Sequence, residues 1–501
     1  MHEARWQTYR KLQSDILSHT DNKSKSAARI LPIEPAGQSR KTIALPVVPR
    51  YIVRSGRCHG GGERGSNSRD FSVADTSYEV IVVGGGAAGV CAAIQAARAG
   101  ARTLLVEKNG MLGGTTTVAG VNFPGLFHAW GKQVIAGIGW DLVMAAIRDG
   151  GGQLPDFTRI PERHWQHQVM INPAIYAALC DEAVVAAGVD LWLHTMPAQV
   201  ARTADGGWRL TLCGKGGLET QHARILVDAT ADANLVALAG GPLQQDDERQ
   251  PATLVYLVTG YNYEELDLEA INAAVQAEVA AGRLHNTDFS WQTRQAHIGG
   301  WLRTRGKSSN HLHHYDARTS QGKTQLELGG RAALLRLIRF LRRQPGLDKL
   351  TVAWISPECG VRDTVRIRGR VTITGNDFVS GRRWPDALCQ AFYPIDIHSS
   401  KRADGLDMRP LAPGVVPTVP RRALLPEGLD GLVVAGRCLS ADQEAHSALR
   451  VQATAMATGQ AAGAMAALAA RGGLADLEQL PLTEIHALLA SHGAIIPTAT
   501  Q

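Results

Sequence analysis

Cysteine is sparse and its spacing carries no pattern: Cys58, Cys91, Cys180, Cys213, Cys359, Cys389 and Cys438 form no CxxC, no CxxxxC and no zinc-ligand set. A dithiol redox centre and a metal site are disfavoured, and a reducing, cytoplasmic compartment is expected. No long apolar run is present. The longest stretch of small residues, Ala453 to Ala470, is broken by Thr454, Thr458, Gly459, Gln460 and Gly463, which suits a buried helix and not a membrane span. The first residues lack the apolar core of a secretory signal, and Glu3, Asp15 and Asp21 are out of place in a transit peptide.

Charge of one sign is missing from most of the chain. Residues 1–70 hold thirteen Lys and Arg against six Asp and Glu, whereas the whole chain carries a net charge of only +6. The remainder is therefore nearly neutral, and no nucleic acid is expected to bind the folded body. Residues 1–76, rich in Ser, Arg and Gly and without periodicity, read as a disordered basic extension that could touch RNA, a membrane or nothing. With 45% hydrophobic and 20% charged residues, the rest is an ordinary globular protein, and 501 residues leave room for two or three domains.

What is present is concentrated in Tyr78 to Asn109. Val80 to Val83 form an unbroken apolar run, as in a parallel strand covered on both faces. Gly84, Gly86 and Gly89 follow in GxGxxG spacing, the alanine-rich segment Ala87 to Ala99 favours a helix, and Leu104 to Val106 rebuild a strand that ends at Glu107. The glycines permit a tight turn and a close approach of pyrophosphate to a helix N-terminus, and the acid can accept bonds from ribose hydroxyls. No second such fingerprint exists, so one long dinucleotide fits better than a flavin and a nicotinamide together. The loop Lys108 to Thr117, rich in glycine and threonine, is placed to carry N–H groups and hydroxyls toward the reactive ring.

Further along, Asn172 to Gly188 reads as a helix, Trp208, Leu210 and Leu212 alternate as in a small β-meander, and Arg224 to Asp232 is a strand entering a polar turn. Gln325 to Arg343 is an amphipathic helix whose arginines read as a solvated face. Val361 to Ile373 alternates with period two, which would set Arg362, Thr364, Arg366, Arg368 and Arg370 on one strand face, either a solvated edge or a cationic ligand wall. His311, His313, His314 and Asp316 lack a tetrahedral set of partners, so no metal is expected there. Leu432 to Val434 regain strand character, and a polar bend from Cys438 to Arg450 leads into a helix from Val451. Residues 476–501 read as a short peripheral helix and tail.

Taken together, VIVVGGGAAG, VEKNGMLGGTTT, LVDATADANLVALAGG, VRDTVRIRG, YPIDIH and LVVAGRCLSADQEAHSALRVQATAMATGQAAG resemble the FAD-dependent oxidoreductase family, which is related to the heterodisulfide reductase flavoprotein and, more distantly, to succinate dehydrogenase and fumarate reductase flavoproteins. The resemblance covers roughly residues 77–475. It implies an α/β fold: a Rossmann-like, glutathione-reductase-like FAD-binding domain, discontinuous over 77–240 and 411–475, with an inserted α+β cap or substrate domain over 241–410. Gly84, Gly86, Gly89, Glu107 and Lys108 would hold the ADP half of FAD, Gly113, Gly114 and Thr115 would approach the flavin, and Asp232 would lie near the diphosphate. Gly436, Arg437 and Val451 would form the second flavin-binding turn and helix start. Alanine occupies positions in Ala229–Thr230–Ala231–Asp232 where this family commonly has glycine. The loop after Glu107 has no histidine for covalent attachment, so noncovalent FAD is implied.

The expected function is hydride transfer from a small organic substrate to flavin N5, with Arg362, His398, His446 and Arg450 as candidate proton acceptors and anion clamps. The alternative is an electron-relay or structural flavoprotein whose specificity a partner sets. Substrate, electron acceptor and oligomeric state are not written in the sequence.

Overall fold

The structure is a computed structural model that describes residues 77–307 and 310–498. Residues 1–76, on which the disordered extension was expected, lie outside the described residues. Strand β1 (Ser77–Val83) is central: Val80, Ile81 and Val82 are fully buried, and the glycine turn after it feeds helix α1 (Ala87–Arg98), ten of whose twelve residues are buried. Strand β2 (Thr103–Val106) returns beside β1 in parallel. Helix α2 (Ile138–Gly150), framed by Gly137 and by Gly151 in the left-handed conformation, had no counterpart in the sequence reading. Helix α3 (Pro173–Ala186) is capped by the Asn172 side chain, with proline in its first turn, and leads to β3 (Asp190–Trp192), parallel to β2.

The predicted meander follows as β4 (Met196–Arg202), β5 (Trp208–Gly214) and β6 (Gly217–Asp228), in antiparallel hairpins. The first half of β6 pairs with β5 and exposes its side chains, while Ile225 to Asp228 are buried in the parallel sheet beside β1. The sheet thus runs β3-β2-β1-β6-β5-β4.

A second hydrophobic core gathers residues between Ala252 and Cys359. It includes Tyr256, Trp301 and the inner side of helix α4 (Ser320–Leu341), whose Leu334, Leu337, Ile338 and Leu341 are buried as the amphipathic pattern predicts. Of its arginines, Arg336 is not merely solvated: two of its nitrogens hold the buried Asp288 at 2.7 and 3.1 Å. This core is narrower than the 241–410 span expected of a cap, because side chains from Val365 to Leu411, including strand β7 (Ile395–His398), pack into the first core.

The chain closes on itself through β8 (Leu432–Val434), which pairs in parallel with the buried end of β6. Helices α5 (Gln443–Leu449) and α6 (Gln452–Gly472) come next, and α6 is buried along nearly its whole length. The expected tail helix, α7 (Leu482–Ser491), buries Ile485 and Leu489, and the segment after it docks: His492 meets Gln95 of α1 and Gln460 of α6. Among the described residues, no helix is long and apolar enough to cross a membrane.

The predicted period-two strand at Val361 to Ile373 is absent; Arg366 and Ile367 pair briefly with Leu243 and Gln244, and Gly369 and Ile373 make isolated bridges to Pro426 and Ala441. Its arginines face different ways. Arg362 donates to Pro251 and Thr253, Arg366 is buried against Asp246, Arg368 lies exposed near Glu427, and Arg370 gathers Asp430, Asp476 and Glu478. Separate acidic partners outweigh the local strand pattern, and neither a solvated edge nor a common cationic wall results.

Candidate active site

The turn after β1 is shaped by contacts that admit no side chain. Gly84 has φ +103°, and a Cβ on Gly89 would lie 1.7 Å from the Gly84 carbonyl oxygen. Gly86 is open apart from Gly114, where an added Cβ would sit 2.8 Å from the Gly86 Cα. The glycine-threonine loop is thus laid across the head of α1, and the Gly113 N–H donates to the Gly85 oxygen at 2.9 Å. Gly86, the residue before α1, offers no side-chain cap and the first turn has no acid, so its N–H groups are free to receive a diphosphate.

Glu107 is buried and accepts from the Gly85 N–H at 2.6 Å and the Asn109 N–H at 2.8 Å. Burial pushes its carboxyl above the ordinary range, against the pull of those two bonds. One bond per oxygen leaves lone pairs for two ribose hydroxyls. These residues fit the ADP half of a dinucleotide. Lys108 does not turn toward them, since its ammonium pairs with Glu358, and Thr115 is exposed.

Two residues missed by sequence reasoning tie this loop to α6: the Thr116 hydroxyl bonds to Gln452, and the Gln452 amide donates to the Val121 oxygen at 3.0 Å. The available signal was a glutamine opening an otherwise alanine-rich helix. Glycines at 459 and 463 lie against the carbonyls of Ala88 and Ala92, so α1 and α6 run in the same direction at very close range. Their positive ends therefore point to one side. The α6 start stands six residues further out along that shared axis, about 9 Å. It too lacks a side-chain cap and first-turn acid, and the Thr454 hydroxyl is buried without a partner. Two offset positive ends suit a cofactor that places a diphosphate at one and a polar ring edge at the other.

Asp232 and Arg437 do not extend free groups into this space. Arg437 pairs with Asp232, donates to the Ala231 oxygen at 3.1 Å and to Val361, while Thr364 donates to Asp232 at 2.7 Å. Together they clamp the 229–233 turn, in which Ala231 and Ala233 adopt φ +67° and +52°, the conformation for which glycine is better suited. Gly436, at φ +77°, sits against Ala88 and donates its N–H to Thr458 at 3.1 Å.

Of the four catalytic candidates, three converge immediately before Val451. Arg450 donates to Asp396 at 3.2 Å and to Gln250 at 3.3 Å, and Gln250 also accepts the His398 N–H. His398 lies between Asp396, at 3.4 Å from Nε2, and His311, at 2.8 Å from Nδ1. Burial, with the positive charge of Arg362, lowers its imidazole to about 4. Asp396 is buried as well, yet the interactions with His398, Arg450 and Arg362 hold it well below the usual carboxylate range. Burial and the neighbouring Arg450 bring Arg362 down to about 9. His446 stands apart: its Nε2 meets the Arg437 carbonyl at 3.0 Å, and burial holds it well below its ordinary value. Asp396 and His311 were not selected from sequence, although the acid two residues before His398 in a buried strand was a visible signal.

Residues 79–489 match the family model described as FAD dependent oxidoreductase. No curated protein matches the chain. Among solved structures, a geranylgeranyl bacteriochlorophyll reductase-like protein from Thermoplasma acidophilum is 13% identical, with 83% of each chain covered and a TM-score of 0.39. OxyS anhydrotetracycline hydroxylase from Streptomyces rimosus is 18% identical over 36% of this chain and 38% of its own, with a TM-score of 0.24. The bacillithiol disulfide reductase Bdr from Bacillus cereus is 18% identical over 31% of this chain and 40% of its own, with a TM-score of 0.20. The parallel sheet and glycine turn accord with the family match over residues 79–489, and the chain belongs to the FAD-dependent oxidoreductase family, an enzyme with FAD as its cofactor.

Proposed function

We propose that the enzyme dehydrogenates a small organic substrate held between the start of α6 and the Arg450 cluster. Bound, noncovalent FAD supplies the hydride acceptor at flavin N5. Gly84, Gly86 and Gly89 receive the diphosphate, Glu107 the ribose, and Gly113, Gly114 and Thr115 line the path to the ring. Val451 and the first turn of α6, which has no side-chain cap, would offer positive potential where negative charge develops on reduction. Gly436, Asp232 and Arg437 keep the underlying turns in place, and Lys108 braces the loop through Glu358.

The observation that carries this reading is the Arg450 guanidinium held on the buried Asp396 carboxylate immediately before the α6 start, with Arg362 acting on both electrostatically. A partly buried guanidinium beside the helix start can hold a substrate oxygen on which negative charge develops. A substrate proton leaves through Asp396, His398 and His311, whose ring and carboxylate contacts form a continuous line. His446 supports the Arg437 turn.

Anaerobic bleaching of the bound flavin across a metabolite panel tests the proposal. Arg450→Met should slow bleaching by about 100-fold, the range for removing one oxyanion donor, and leave FAD bound. A panel in which nothing bleaches the flavin, or an Arg450→Met enzyme that bleaches like the parent, refutes it.

A further inference from the structure

Beside the Arg450 cluster lies a cavity of about 240 Å³ whose walls include Leu126, His128, Trp130, Phe392 and Tyr393. Its position is fixed relative to α6: Gly125 abuts Val451, and the Pro124 oxygen accepts the Ala453 N–H at 2.8 Å. It also opens toward charge. Tyr393 and His164 line it with their rings 5.2 Å apart, and both feel the Asp396 carboxylate electrostatically.

We infer that this cavity binds the ring portion of the substrate, and that the substrate is a planar aromatic or conjugated molecule of one or two rings bearing a hydroxyl. The inference rests on the dehydrogenase reading above and names its substrate class. Size comes first. A dry apolar cavity of about 150 Å³ accepts benzene, so the larger volume here takes one ring or two fused rings.

Wall chemistry comes next. Glu162 is the one formally charged residue in the lining, and it is exposed at the rim. Burial lowers His128 to about 4 and pushes His164 down as well, so both present neutral imidazoles at neutral pH. His128 stacks on Phe157 at 3.8 Å and 3°, and Trp130 meets Phe392 edge-on at 5.5 Å. Such walls favour a flat, uncharged π-system over an aliphatic or ionic one. The Tyr393 end does not favour an anion, because burial and the nearby Asp396 push the Tyr393 phenol up despite Arg450 and Arg362. A hydroxyl placed there stays protonated, while the ring stays in the uncharged part.

The test uses the full-length, FAD-loaded protein with 2-naphthol and, as an aliphatic counterpart of similar size, 2-decalol. Calorimetric titration should show 2-naphthol binding at least tenfold tighter. At neutral pH the bound molecule should show the absorbance of protonated 2-naphthol, and naphtholate absorbance overturns this placement of the hydroxyl. Phe392→Ala should weaken binding about tenfold, and Ile160→Glu, altering a rim position that is 63% exposed and so safe for folding, should weaken it several-fold. Arg450→Met should keep the ring bound. Equal affinity for the two ligands, absent binding, or binding indifferent to Phe392→Ala and Ile160→Glu overturns the inference. Flavin bleaching is read separately: a metabolite that bleaches the flavin although 2-naphthol does not bind leaves dehydrogenation standing and removes the substrate class. Bound 2-naphthol with no bleaching by any compound does the converse.

Discussion

The contact between α1 and α6 sets where both positive helix ends stand, and it can be perturbed by one methyl group. A Cβ at position 459 would lie 2.1 Å from the Ala88 oxygen and one at 463 would lie 2.2 Å from the Ala92 oxygen, both backbone atoms that cannot rotate away. Ordinary contact begins at 3.4 Å, so Gly463→Ala requires the helices to separate by about 1.2 Å. Overpacking of this kind costs about 1–3 kcal/mol. Gly459→Ala should cost a similar amount. The double variant should cost less than the sum, because the first separation makes room for the second methyl. The control is Gly300→Ala, where an added Cβ meets nothing within 4 Å and the effect should stay within about 0.5 kcal/mol. Denaturant unfolding followed by circular dichroism gives the stabilities, and the flavin dissociation rate reports whether the two helix ends have moved apart. If Gly463→Ala is as stable as Gly300→Ala and releases FAD no faster, those glycines do not set the helix spacing.

Acid should weaken the fold before it reaches the carboxylate range. Burial lowers His398 and His128 to about 4 from an ordinary 6.5, so the unfolded chain takes up protons that the folded one resists. Stability present above pH 6.5 is therefore lost as pH falls from about 6.5 to about 4; denaturation midpoints across that window should decline, and His398→Asn should flatten the decline. At Ala231, held at φ +67°, a left-handed alanine costs about 1–2 kcal/mol, offset in glycine by a chain-entropy penalty of about 0.4–1 kcal/mol. Ala231→Gly should accordingly be neutral to mildly stabilising and Ala231→Val clearly destabilising, with equal thermal midpoints for the two counting against that backbone conformation. Glu107→Ala strands the Gly85 and Asn109 N–H groups and removes the ribose acceptor, so FAD affinity should fall at least about tenfold, about 1.4 kcal/mol. Release of fluorescent free flavin measures it, and unchanged retention would take Glu107 out of the site.

The parts legible in the sequence are those whose causes are local. Val80 to Val83, the three glycines and the alanine-rich α1 announce strand, turn and helix within a single stretch, and each forms as read. Trp208, Leu210 and Leu212 mark β5 for the same reason. The Arg450 cluster was legible only in outline: Arg362, His398 and Arg450 stand out by type and motif, but Asp396, Gln250 and His311 join them from positions up to 200 residues distant, and no spacing records that meeting. His311 illustrates the loss, since beside His313 and His314 it invites a metal reading, whereas the fold turns its ring toward His398. The 361–373 segment misleads in the opposite sense. Its alternation is genuine, but Arg366, buried against Asp246, and Arg370, held by three carboxylates, are placed by tertiary ion pairs stronger than a period-two preference.

The double allegiance of β6 bears on how a ribosome delivers this chain. Its first half is satisfied at once by β5, a hairpin that closes as soon as it emerges, and β1 already waits on one flank of its second half. The other flank, Leu226 to Asp228, is matched only by Leu432 to Val434, about two hundred residues later. Throughout that interval an apolar strand edge stays open to pairing with any neighbouring chain, the condition under which nascent proteins associate wrongly. Roughly the last sixth of the described chain, in supplying both that strand and α6, is what turns an exposed half-sheet into a closed one.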